Sequence, residues 1–276
     1  MAILAQKLAS PALARGHGLR HHADWLHFRF DPMGFITLPS ATVHYTDSGA
    51  GVPIVLLHAN PGDSRDFDAV LPALAQQGRV LALDWPGYGA SPPPAVPQQL
   101  AHHFHARLLR EFVDALALDG LVLIGNSLGG TVALQFALAA PQRVRKLVLV
   151  APGGFTQHNL VTRFFSTLQS SRWALHPHRW ASLYLCMRTQ WTRAMLQRAR
   201  TTQASASALA VNRAIWRLFT QPSHDLRQVA AVIPGRGIAV SRGMKAGGDG
   251  FRRCSMERTM SPESKKPSKW VSAGLY

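Results

Sequence analysis

Cysteine is almost missing from this sequence. Its 276 residues contain two, Cys186 and Cys254. Two distant thiols make neither a disulfide framework nor a metal-ligand spacing, so a stapled secreted scaffold and a cysteine metal site are both excluded. Acidic residues are scarce as well, 14 Asp and Glu against 30 Lys and Arg, for a formal net charge of +16. Such an imbalance raises the question of a nucleic-acid partner. The basic residues are spread along the chain, however, and form no recognition motif, so no nucleic-acid partner is expected and arginine dispersed over the surface is the better reading. Long apolar runs are absent too. None approaches the ~18 residues of a membrane span. The apolar start is broken by Lys7 and Pro11, unlike a signal peptide. The expected location is the cytoplasm.

What is present is a sizeable apolar fraction, 47% of the chain, enough for a substantial core. Residues 1–33 show no periodicity and read as a loose extension. From there, apolar strand-like runs alternate with helical ones. "FITLPSATVHYTDSGAG" gives two short strands, and "VPIVLLHANPG" a buried strand entering a loop. In "SRDFDAVLPALAQQG", Phe67, Val70, Leu71 and Leu74 recur at helical spacing, with Ser64 as the expected cap and Gly78 as the stop. "RVLALDWPGYGAS", "LVLIGNS" and "VRKLVLVAP" supply further strands, separated by the helical runs "PQQLAHHFHARLLREFVDALAL" and "LGGTVALQFALAA". The later strands are apolar at every position, which predicts an α/β fold: a mostly parallel twisted sheet covered by helices on both faces. In such sheets ligands bind at the carboxyl ends of the strands. Three glycine-bearing loops, "HANPG", "DWPGYGAS" and "GNSLGG", fall at those ends.

After Gly154 the pattern changes. Residues 155–222 lose strand alternation and carry Trp173, Trp180, Trp191 and Trp216. They predict an inserted helical cap, whose aromatic rings either line an apolar pocket or, as is expected of each tryptophan taken singly, pack the cap onto the sheet. Residues 223–233 read as a return helix.

In "GNSLGG", Ser127 lies between Gly125 and Gly129. Alone, G-x-S-x-G also fits an ordinary strand-to-helix loop. With the other two loops, residues 35–155 resemble the α/β-hydrolase fold, and "GNSLGG" resembles the nucleophile elbow of esterases and carbon–carbon bond hydrolases. "HANP" is similar to the "HGNP" of haloalkane dehalogenases, although those carry aspartate where this chain has Ser127. The resemblance implies that Ser127 is the nucleophile and that the backbone N–H groups of Leu128 and Asn60 form the oxyanion hole. Ala59 replaces the usual glycine of that loop. It gives His58 and Asp84 loop-bracing roles. It implies a small-molecule substrate, an ester or related apolar compound, with no cofactor and no metal. The oligomeric state stays open.

One part of the pattern is missing. The family order is Ser, then Asp or Glu, then His, with the last two after the cap. All 13 histidines lie at or before His224. Asp249 is a weak candidate acid, and His224 and His158 are weak candidate bases. From Pro234 the chain turns rich in Gly, Ser, Lys and Arg, and only "GIAV" has strand character. Residues 234–276 therefore read as disordered or as unrelated sequence after a shifted coding frame near Ile233, the abrupt break favouring the shift. The final strands would be missing, and residues 146–150 would form an open apolar edge. A catalytically defective hydrolase-like protein is the alternative reading; carbon–carbon bond hydrolysis and dehalogenase-like action are others.

Overall fold

Valine, leucine and isoleucine dominate the segments expected to be strands, and these segments form one sheet. The computed structural model describes residues 31–94, 103–155, 159–174, 176, 179, 189–201, 205–221, 225–226 and 238–241. The strands are β1 (Asp31–Thr37), β2 (Thr42–Ser48), β3 (Pro53–Leu57), β4 (Arg79–Leu83), β5 (Leu121–Asn126), β6 (Val144–Val150) and β7 (Ile238–Ser241). Their spatial order is β1-β2-β4-β3-β5-β6-β7. β2 runs antiparallel to both neighbours, while the pairs β3–β4, β3–β5, β5–β6 and β6–β7 are parallel. Parallel neighbours need crossover connections. These contain α1 (Leu71–Ala75), α2 (Phe104–Ala115) and α3 (Leu128–Ala139), with α4 (Leu160–Ser170), α5 (Gln190–Arg200) and α6 (Ala206–Phe219) between β6 and β7.

The unbroken apolar strands follow from burial on both faces. Val55, Leu57, Leu81, Leu83, Leu121 and Leu123 join one core with Leu108, Phe112 and Val132 from α2 and α3. Their alternate neighbours Ile54, Leu56, Val80, Ala82 and Ile124 join a second core with Phe67, Leu71 and Leu74. This is the period of two expected of a strand, with both sets apolar because each meets a helix. The second face thins toward β5 and β6, where Val122 and Val148 are only partly buried.

Three expectations are corrected. The edge of β6 is not open: Leu147, Val148, Leu149 and Val150 pair with Ile238, Ala239, Val240 and Ser241. Four residues of strand character suffice to continue a ladder whose partner is already in place. The helix expected from Ser64 is instead a 3-10 turn, Ser64–Phe67, followed by the short α1. Its cap is Asp63, which accepts from the Arg65 N–H and forms a reciprocal box with Asp66. Between residues 155 and 222 the described residues contain helices and no strand. Trp216 stacks edge-on against Phe165 and Phe219, joining α6 to α4. Trp173 and Trp191 are exposed rather than packed on the sheet, and Trp180 lies outside the described residues.

Candidate active site

The chain passes from β3 to β4 on one side and then returns to place β5 on the other side of β3. The loops after β3 and β5 therefore face each other at the switch point of the sheet, where open α/β folds bind ligands. Ser127 is the single residue between β5 and α3. Its backbone sits at φ 49° and ψ −108°, a conformation that L side chains rarely adopt and that costs roughly 1–3 kcal/mol. The surrounding bonds over-determine it: Ser127 N–H donates to Val150 O (3.0 Å), and its carbonyl accepts from Thr131 N–H (3.0 Å) and Gly153 N–H (3.1 Å). The side chain is half-buried.

The flanking glycines are required by close approach. A Cβ on Gly129 would lie 2.5 Å from the Leu57 carbonyl carbon and 2.8 Å from Leu57 Cβ. One on Gly125 would lie 2.6 Å from Gly130 N. The start of α3 thus presses on the end of β3, and Gly129 N–H donates to His58 O at 3.2 Å. Leu128 is the first residue of α3, so its N–H has no acceptor within the helix.

The "HANP" loop is held from behind. Trp85 N–H donates to His58 Nε2 (2.9 Å), so the imidazole proton is on Nδ1, which donates to Ala59 O (2.7 Å). Both ring nitrogens are engaged, and burial pushes the His58 pKa down, which keeps it neutral. Asp84 is buried at the next loop and accepts from Ser64 N–H (2.6 Å), His44 Nδ1 (2.7 Å) and Ala90 N–H (3.0 Å). Asn60 is buried; its Oδ1 accepts from the Tyr88 hydroxyl, and its Nδ2 has no hydrogen-bond partner among the described residues. No described histidine or carboxylate bonds the Ser127 hydroxyl. Asp249, His224 and His158 lie outside the described residues.

These features can be set beside known proteins. The sequence profile of the family described as alpha/beta hydrolase fold matches residues 52–209, more than half of the chain. The chain belongs to this family. Among curated relatives, a 2-hydroxy-6-oxononadienedioate/2-hydroxy-6-oxononatrienedioate hydrolase of Dechloromonas aromatica is 42% identical over 116 residues, 40% of each chain. Haloalkane dehalogenase 2 of Mycobacterium tuberculosis is 35% identical over 130 residues, 47% of this chain and 45% of the relative. The chain thus spans less than half the length of these relatives. Among solved structures, a hydrolase of Pseudomonas aeruginosa is 25% identical with a TM-score of 0.59, covering 77% of this chain and 80% of that one. The haloalkane dehalogenase of Paraglaciecola agarilytica reaches a TM-score of 0.65 over 81% of both chains at 17% identity, a likeness of fold alone.

This alpha/beta hydrolase chain has a charged cluster beside the site that sequence reasoning missed. Arg198 of α5 reaches back to the loop after β3, with its guanidinium 2.6 Å from Asp66 Oδ1 and 3.2 Å from Asp63 Oδ2. Asp63 also bonds Arg65 at 2.8 Å. Burial opposes its ionisation, but the Arg65 bond and the Arg198 charge outweigh this and hold its pKa below the ordinary carboxylate range. Asp66 has only a share of Arg198, and burial together with the Asp63 charge pushes its pKa up to about 7. An unfolded Asp66 ionises near pH 4, whereas the folded one resists ionisation until about 7. Its contribution therefore weakens the fold as pH rises through that window. Asp66→Asn keeps an acceptor for Arg198 and removes the charge. The melting temperature of the variant, measured against the wild type, should rise from pH 5 to about pH 7 and level off by pH 8. A difference that stays constant would mean that the charged form is not penalised.

Proposed function

We propose that this chain is a serine hydrolase acting on an ester or related small apolar substrate. Ser127 Oγ attacks the acyl carbon, and the Leu128 and Asn60 N–H groups hold the oxyanion that develops. The observation that carries this reading is the strained Ser127 between β5 and α3, pressed against the loop after β3. Strain of this kind points a short side chain out of the sheet edge, where a substrate can reach it. His58 and Asp84 brace the two neighbouring loops. Residues 155–222 serve as a helical cap whose shape selects the substrate. The chemistry needs no cofactor or metal, and the scarcity of cysteine fits a cytoplasmic setting.

The proton of Ser127 needs an acceptor, with His224 and His158 as candidate bases and Asp249 as candidate acid. A second reading, a catalytically defective hydrolase-like protein, is favoured by the sequence, in which no histidine follows His224. Carbon–carbon bond hydrolysis and dehalogenase-like action stay open through the relatives named above. Turnover of short-chain aryl esters by wild type and Ser127→Ala separates the readings. The hydrolase reading expects slow turnover that falls at least tenfold in the variant. Equal rates would leave the defective protein.

A further inference from the structure

Among the described residues, helix α4 turns an apolar face away from its neighbours. Its inner side meets α6, where Phe165 stacks on Trp216 with ring centroids 5.3 Å apart. On its outer side Leu160, Val161 and Phe164 are 85%, 74% and 72% exposed, and Trp173, three residues beyond the helix, is 69% exposed. Single exposed apolar residues need no explanation, but four within 14 positions of chain, one of them a tryptophan, do.

Charge decides what can cover this face. No aspartate or glutamate occurs from residue 120 to residue 224, and residues 155–224 hold nine arginines, of which Arg198 is taken up by Asp63 and Asp66. Arg163 lies within α4, and the Arg172 guanidinium sits 4.9 Å above the Trp173 ring. A second copy would bring its own +16 against this cationic face. Residues 242–276 carry eight Lys and Arg against three Asp and Glu, so that segment is repelled as well. The occupant must be anionic. It must also take up aliphatic and aromatic side chains, which a phosphate backbone does not. A bilayer rich in anionic lipid offers both: phosphates for arginine, and an acyl boundary for leucine, valine, phenylalanine and tryptophan.

We propose that the outer face of α4, together with Trp173, docks on an anionic lipid surface. The apolar side chains enter the headgroup layer while Arg163 and Arg172 pair with lipid phosphates. Among the described residues no helix is long and apolar enough to cross a membrane, so the contact is peripheral and reversible. It is independent of the catalytic role assigned to Ser127.

The test is sedimentation of the full chain with vesicles of phosphatidylglycerol and phosphatidylcholine, and with phosphatidylcholine alone, at physiological salt. Wild type should bind the mixed vesicles and not the neutral ones. Leu160→Ser/Phe164→Ser keeps every charge and removes exposed groups only. Its affinity should fall about tenfold or more, since each buried side chain contributes more than the 1.4 kcal/mol of a tenfold change. Arg163→Gln/Arg172→Gln should also bind more weakly. Phe35→Ser, an exposed phenylalanine on β1, should bind as wild type. Binding unchanged by the Leu160/Phe164 substitutions would reduce the effect to the overall charge and overturn the proposal. So would tighter binding to duplex DNA that the same serine substitutions weaken.

Discussion

Replacing Arg198 by methionine will cost about 3–5 kcal/mol of folding free energy, the usual consequence of removing one partner from a buried ion pair. The side chains of Arg198, Asp63 and Asp66 are 13%, 1% and 4% exposed, so water cannot take over the lost partner. Asp63 keeps Arg65, but Asp66 is left with one weak bond, from the Asp63 N–H at 3.3 Å. Protonation of Asp66 relieves its uncompensated charge, so the loss should be larger at pH 8 than at pH 5. A whole domain has only about 5–15 kcal/mol of net stability. The variant should therefore unfold at a much lower urea concentration, and α5 should lose its anchor to the loop after β3. Arg198→Met/Asp66→Asn should recover part of the loss, because the unpaired charge is gone. A cost below about 1 kcal/mol would place this cluster with ordinary surface pairs.

Gly129→Ala will also destabilise, against the direction of helix propensity. In the interior of a helix, alanine is better than glycine by roughly 0.5–1 kcal/mol. Here the added methyl would meet the backbone of Leu57, 2.5 Å from its carbonyl carbon, and neither β3 nor α3 can yield without breaking the Gly129–His58 bond. Overpacking typically costs about 1–3 kcal/mol and more where backbone must move. The clash should win, lowering the melting temperature and shifting Ser127 away from the loop that carries Asn60. Gly130→Ala, which meets the Pro152 side chain at 2.9 Å, should be milder. A Gly129→Ala protein as stable as wild type would show that the elbow and β3 are less tightly packed than the structure has them.

What could be read from the sequence was what is local in the chain. The elbow was visible because Gly125, Ser127 and Gly129 lie within five positions between a strand pattern and a helix pattern. The two-sided burial of the strands was visible because every residue of "PIVLL" and "LVLIG" is apolar or small. Contacts between distant residues left no such trace. Arg198 lies 132 positions from Asp66, and an arginine on an amphipathic helix looks solvated until the fold brings two carboxylates to it. Asn60 was legible as a candidate oxyanion donor, but the Tyr88 hydroxyl that holds its side chain was visible only as a loop residue. The cap at Asp63 was missed because Ser64 fits the same rule one position later. The strand β7 was undervalued because four residues in a glycine-rich segment carry little pattern, whereas β6 offers them a finished edge. The exposed face of α4 has the same period as a buried one, so sequence alone could not tell which side it turns.

If Ser127 is the nucleophile proposed above, presented by a strained elbow, covalent trapping will find it. The full chain is incubated with an excess of a fluorophosphonate, and the product is read by intact mass and peptide mapping. One adduct per chain is expected, on Ser127, absent from Ser127→Ala. No adduct, or an adduct that persists in Ser127→Ala, would contradict it.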